Sequence, residues 1–126
     1  MQNRRFLHKV IVHELSIAMS IVELAQEESD RRGGVQIKAV HLRLGLLSDV
    51  VKEALLSSYE MACEDTPLQG SRLQVEEVPV LIFCRKCDAQ LPVHSTQMFC
   101  CSVCGTPTGE VVQGKELLVV GLEVEE

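Results

Sequence analysis

Cys84-Arg85-Lys86-Cys87 and Cys101-Ser102-Val103-Cys104 together read C-x2-C-x13-C-x2-C. Each pair fits a tight turn that faces both thiols to one point. Two such turns brought together make a tetrahedron of four sulfurs, the geometry of a closed structural Zn2+ site. Iron in a rubredoxin-like site is the chemical rival, because four thiolates suit it as well. Two disulfides would be the metal-free alternative, and the redox compartment decides against them. After the basic start, Met1 to Lys9, only Val10, Ile11 and Val12 precede His13 and Glu14. That run is too short for the apolar core of an export signal. An unexported chain keeps its thiols reduced, so paired C-x-x-C motifs point to a metal and the expected location is the cytoplasm. No stretch is long enough to span a membrane.

Outward from the cysteines, the metal module takes residues 80–114, punctuated by Pro92, Gly105, Pro107 and Gly109. Before it, Ile17, Ile21, Leu24 and Ala25 recur at helical spacing, with Ser16 as N-cap or Glu14 as an earlier start, and Gly33-Gly34 as the stop. Val35 to Leu44 reads as a strand, with Val40, Leu42 and Leu44 on one face and Ala39, His41 and Arg43 on the other. Ser48 or Asp49 then caps a second helix that turns Val51, Leu55, Tyr59 and Ala62 inward and ends before Pro67. Ser71 to Val78 is a second strand, closed by Pro79, and Lys115 to Glu126 is a third. The first two strands flank a helix, so a right-handed crossover should make them parallel. The last strand should run antiparallel beside the one that leads into the module.

The fold class is therefore α+β: two helices on a mixed three-stranded sheet, with an inserted zinc-ribbon-like module. Residues 13–79, completed by 115–126, form the main domain. Residues 1–12 match no element and read as an upstream, non-native extension. Aromatics make up 3% of the 126 residues and Trp is absent, so the core must be built from Leu, Val, Ile and Ala.

The net charge is −6, and Arg4, Arg5 and Lys9 all lie in residues 1–12, so the rest is more acidic still. Four thiolates on one Zn2+ add negative charge. Such a surface repels phosphate backbones, which argues against nucleic acid as a partner. No Ser/His/Asp or Cys/His set and no Gly-rich phosphate loop is present, so the chain reads as a non-enzyme. Two other classes remain as alternatives: a zinc-ribbon nucleic-acid-binding protein and a rubredoxin-like electron carrier.

His13-Glu14-Leu15-Ser16-Ile17-Ala18, the Leu44-Gly45-x-Leu47-Ser48 turn and the four-cysteine module together resemble the HypA family, the hydrogenase nickel-incorporation proteins. The match covers residues 13–126. The resemblance implies a metallochaperone that passes Ni(II) to the large subunit of [NiFe] hydrogenase, together with the nickel-binding GTPase HypB. In some bacteria the family also serves urease. It implies an α/β nickel domain with nickel at His13 and Glu14. The attached zinc domain has structural Zn2+ at Cys84, Cys87, Cys101 and Cys104. A homodimer is left open.

Nickel(II) favours nitrogen ligands in a square plane. An amino terminus, a His in second position and neighbouring backbone amides supply one. In the family the His directly follows the initiating Met, whereas His13 here follows Val12. GUG encodes valine internally and can initiate as Met, so Val12 is read as the native start. Glu14 is expected to act through its backbone amide more than its carboxylate. Asp49 reads as a helix cap that could approach the nickel, His41 as a structural His in a strand, and Cys63 as a buried small apolar residue. His94 could replace a cysteine, but four sulfurs suffice. Cys100 would make C-x3-C with Cys104, and His8 could serve only in a real extension.

Overall fold

The structure is a computed structural model that describes residues 2–93 and 99–125, with side chains from residue 13 onward. The described residues form eight elements in chain order: α1 (Gln2–Arg31), β1 (Gln36–Gly45), α2 (Lys52–Cys63), β2 (Arg72–Val78), β3 (Leu81–Cys84), β4 (Ala89–Pro92), β5 (Val111–Gln113) and β6 (Leu117–Glu125). Among the described residues no helix is long and apolar enough to cross a membrane.

The first helix starts earlier than its apolar spacing predicts. Neither glycine nor proline occurs from Gln2 to Arg32, so nothing interrupts the ladder. Ser16 is consequently an exposed mid-helix residue and not a cap. Ala18, Ile21, Val22 and Ala25 are buried as the period requires, but Leu24 is half exposed, one step off the packed stripe. The stop is as expected. Gly33 and Gly34 sit at φ 84° and 85°, and the Gly34 N–H returns to the Ser29 carbonyl at 2.8 Å.

Strands β2, β1 and β6 form one sheet in that order. At the start of β1, Gln36 to Lys38 lie beside Ser71 and Arg72, and at its end the Leu46 N–H bonds the Val78 carbonyl, so β1 and β2 are parallel. The Gly45 N–H bonds Glu116 O and the Leu47 N–H bonds Gly114 O, each at 2.7 Å, which makes β6 antiparallel to β1. The expected direction of the last strand holds, but its neighbour is β1 and not β2. Burial explains the order: Ile37, Ala39, Val40, Leu42 and Leu44 are all buried, as suits a central strand, while β2 exposes Arg72, Gln74, Glu76 and Glu77, as suits an edge.

The chain divides into two compact units. Unit one is Met1–Leu42, Val50–Glu76 and Val119–Glu126. Its core joins Ala18, Ile21 and Val22 of α1 to Leu55 and Tyr59 of α2 and to Val40, Leu42 and Leu73 of the strands. Tyr59 keeps its hydroxyl satisfied by Ser71 Oγ at 2.7 Å. Cys63 is buried in this core, as read from sequence. Val51 is not; it is half exposed at the start of α2.

Unit two is Arg43–Asp49 with Glu77–Leu118, so it takes in the turn after β1 as well as the cysteine-bearing segment. Its core is small: Leu44, Val78, Val80, Ile82, Cys84 and Cys101 are buried. Strand β3 pairs antiparallel with β4, from Leu81↔Pro92 to Cys84↔Ala89, and with β5 on its other side. Gly45 is required here by contact. A Cβ on it would lie 2.1 Å from the Gly114 carbonyl oxygen and 2.7 Å from the Glu116 nitrogen.

Candidate metal centre

The β3–β4 hairpin builds the first half of the centre. β3 ends at Cys84, the chain turns through Arg85 to Asp88, and Ala89 stands opposite Cys84. Asp88 closes the turn at φ 53°, a left-handed position that Asp tolerates. Cys84 and Cys87 thus lie at the two ends of one tight turn. The second half is a knuckle at Cys101 to Cys104. The Gly105 N–H returns to the Cys101 carbonyl at 3.0 Å, and the Cys101 N–H bonds the Thr106 carbonyl at 2.8 Å. The Val103 and Cys104 N–H groups both point at Cys101 Sγ, at 3.4 Å. Thr108 ties the two halves together, its hydroxyl donating to the Phe83 carbonyl at 3.0 Å.

The result is a cluster of Cys84, Cys87, Cys101 and Cys104 whose sulfurs all lie within 4.8 Å of one another. Cys84 and Cys104 sulfurs are 3.7 Å apart, Cys87 and Cys101 sulfurs 3.8 Å. A regular tetrahedron with Zn–S bonds of about 2.3 Å has sulfurs about 3.8 Å apart, so the donor set fits the ion. All four cysteines are free thiols. Cys84 and Cys101 are buried, Cys87 is half-buried and Cys104 is exposed.

The thiols differ in acidity. The Thr106 hydroxyl, 3.0 Å from Cys104 Sγ, holds the Cys104 thiol down at about 6. Cys87 is pushed up to about 12, first by its hydrogen bond with Cys104. Cys101 is lowered, chiefly by the Cys104 N–H. Backbone and hydroxyl donors aimed at sulfur favour thiolate, the form a metal binds.

Cys100 is half-buried, bridged to Pro107 across the knuckle and outside the four-sulfur cluster. His94 and the side chain of His8 lie outside the described residues.

His13 is exposed on α1, while Glu14 is fully buried. Sequence alone gave no sign of where the Glu14 carboxylate goes. Its Oε1 accepts the Val51 N–H at 3.4 Å, and Val51 is the N-cap of α2, with no side-chain bond of its own. The N-cap position falls at Val51 and not at Ser48 or Asp49; Asp49 sits at φ 63°, two residues ahead of it. His41 lies on β1 with Nε2 3.4 Å from Glu123 Oε2, which also meets Arg72 at 3.3 Å. Thr106 was missed as well; its only trace in sequence is a hydroxyl two residues beyond the last cysteine.

A family model described as hydrogenase/urease nickel incorporation, metallochaperone, HypA matches residues 12–124. The chain is similar to a hydrogenase maturation factor HypA of Chloroflexus aurantiacus, at 46% identity over 112 residues that cover 89% of this chain and 98% of that one. It is similar to the HypA of Roseiflexus sp. (strain RS-1), at 42% identity over 115 residues, 91% of this chain and 94% of that one. The solution structure of the Ni metallochaperone HypA from Helicobacter pylori aligns with a TM-score of 0.61 over 88% of this chain and 96% of that chain. Its identity is 21%, so the likeness is one of fold.

Proposed function

The chain belongs to the HypA family of hydrogenase and urease nickel-incorporation metallochaperones, and from that premise we propose that it delivers Ni(II) for assembly of a [NiFe] hydrogenase active site in the cytoplasm. Its partners in this reading are the hydrogenase large subunit and a nickel-binding GTPase of the HypB kind. The observation that carries the proposal is that one family match, residues 12–124, takes in both His13-Glu14 and all four clustered cysteines. The chain acts as a carrier and not as an enzyme.

In this reading Cys84, Cys87, Cys101 and Cys104 hold one structural Zn2+. The sulfur separations match a closed tetrahedron, and a buried core as small as that of unit two gains its folding energy from such a staple. The ion supplies a fixed cross-link between the hairpin and the knuckle. A colourless purified protein separates zinc from Fe(III)-thiolate, which absorbs in the visible.

Nickel, the cargo, binds at His13 through its imidazole, with the Glu14 and His13 amides and the terminal amine in the same plane. Helix geometry makes the start of the chain decisive. Within a helix that begins at Gln2, the amides of His13 and Glu14 face carbonyls one turn earlier. In a chain that begins at residue 12 they belong to the first turn, whose N–H groups have no intrahelical acceptor. We read residue 12 as the native start, which the boundary of the family match supports.

Calorimetric titration with nickel tests this. A chain starting with Met in place of Val12 should bind tightly, the full chain more weakly, and His13→Ala in the short chain hardly at all. Equal binding by the short chain and its His13→Ala variant would remove His13 from the site.

A further inference from the structure

The part of β6 that belongs to unit one is Val119 to Glu125, and among the described residues the strand has a neighbour, β1, on one side only. An open edge offers N–H and C=O groups to another strand, and lysine or proline commonly blunts it. β6 has neither. Beside this edge lies a hollow of about 540 Å3, lined by Leu24, Glu27 and Arg31 of α1 and by Val119, Leu122 and Val124 of the strand. Its apolar lining is not sealed: Leu24 is half exposed, and Val119, Leu122 and Val124 are only partly buried against the core.

Gly121 stands within this edge. Its φ is not in the left-handed region, and a Cβ added to it would meet nothing within 4 Å. Neither backbone conformation nor packing inside the chain calls for glycine. Glycine weakens a strand interior, and one common reason for it there is the close approach of another backbone. Strand alternation sorts the neighbouring side chains. Leu122 and Val124 line the hollow, so Glu123 and Glu125 belong to the opposite face. Glu28 is held by Arg31 and Arg32 at 2.8 and 3.0 Å, and Glu123 is shared by His41 and Arg72. Glu27, at the rim of the hollow, and Glu125 are exposed and make no hydrogen bond or ion pair among the described residues.

We propose that Val119 to Glu125 is a docking edge for an extended segment of another protein in which apolar residues alternate with lysine or arginine. The segment adds a strand to the sheet: main-chain hydrogen bonds hold it, and alternate side chains give it specificity. Its apolar residues enter the hollow beside Leu24, and its cations lie on the face of Glu125, with Glu27 drawing a further cation to the rim. Charge selects this occupant over a second copy of the chain. β6 carries two glutamates and no cation, so a second β6 would add acid to acid. The docking edge stands whether or not the nickel reading holds.

The probe is a short capped peptide of alternating valine and lysine with a fluorescent label, titrated by anisotropy with the full, zinc-loaded chain. It should bind about tenfold or more tightly than its valine–glutamate counterpart. N-methylation of every second amide should abolish binding in one register and spare it in the other, because alternate N–H groups of a strand point to one edge. Leu24→Asp should weaken binding about tenfold by placing a charge in the apolar hollow, although an added acid would strengthen a merely electrostatic attraction. Met61→Asp, exposed on α2 of the same unit, should not weaken it. If Leu24→Asp fails to fold, the two methylated registers decide alone. A parent that does not bind the valine–lysine peptide overturns the proposal. So does equal binding of the lysine and glutamate peptides, tolerance of both methylated registers, or equal weakening by the two aspartates. Peptide affinity that falls as the protein is concentrated gives the edge to a second copy and overturns it too.

Discussion

The Glu14 carboxylate reaches from α1 to the amino end of α2, where its Oε1 accepts the Val51 N–H at 3.4 Å. The two residues are 37 positions apart. The contact replaces a local cap: Val51 offers no side-chain oxygen, and the first turn of a helix carries orphan N–H groups and a partial positive charge. A buried acid and an uncapped helix thus satisfy each other within unit one. Glu14 Oε2 has no hydrogen-bond partner among the described residues.

Glu14→Ala should therefore cost stability well beyond one lost surface charge. Loss of the cap, with a part-buried N–H left to water, amounts to about 0.5–2 kcal/mol. Glu14→Gln keeps an acceptor oxygen and should lose less. Urea denaturation of both variants, compared at constant m, checks the order, and an alanine variant as stable as the parent would sink the capping role.

Metal content should follow the cluster and not the count of cysteines. Cys101→Ser should lose the zinc and the protection of the β3, β4 and β5 amides, while α1 and α2 remain. Cys100→Ser, outside the cluster, should keep a full equivalent. Elemental analysis with hydrogen exchange reads both, and the reverse pattern would reassign the knuckle.

Gly45→Ala should be among the most damaging single changes outside the cysteines. The new Cβ would meet backbone, the Gly114 carbonyl at 2.1 Å, and a main-chain carbonyl that already holds the Leu47 N–H has no rotamer through which to retreat. Overpacking of this kind costs about 1–3 kcal/mol or more. Thermal unfolding of the zinc-loaded protein would measure the drop in Tm.

Zinc affinity should fall as pH falls. The metal displaces thiol protons, so the bound form carries fewer of them and is favoured as pH rises. At neutral pH the metal-free centre still holds the Cys87 proton, because that thiol titrates at about 12. Cys104 takes up its own proton only below about 6, where the Thr106 hydroxyl has held it. Each proton released makes the apparent affinity change about tenfold per pH unit. Competition with a chelator from pH 8 to pH 5 should show the dependence steepening below 6. In Thr106→Val the steepening should begin at higher pH, since the donor that keeps Cys104 ionised is gone; an unshifted profile would count against Thr106.

What sequence could reveal depended on whether the signal was local. The knuckle spacing, the Gly33-Gly34 stop, the end of α2 before Pro67 and the burial of Leu55 and Tyr59 are set within a few residues, and each was legible. The start of α1 was not, because a helix with no breaker in its path has no local reason to begin at Ser16. The cap of α2 was missed for the opposite reason: the N-cap falls at Val51, beyond Ser48 and Asp49, and the acceptor for its N–H comes from another element. The place of β6 beside β1 depended on which strand could bury both faces, a property of the assembled sheet. In the metal centre the four sulfurs were readable from spacing, whereas Thr106 acquires its role only when the knuckle folds back.

The unequal burial of the four sulfurs also bears on kinetics. Cys84 and Cys101 are shut inside unit two, while Cys104 stands at the surface. For a zinc ion held by the four sulfurs, a competing ligand or an electrophile would arrive from the Cys104 side, so exchange would proceed by attack at one labile corner while the two inner sulfurs hold on longest. Alkylation during chelation of the zinc-loaded protein should mark Cys104 first and the inner pair last, and that order would record the path by which the ion departs.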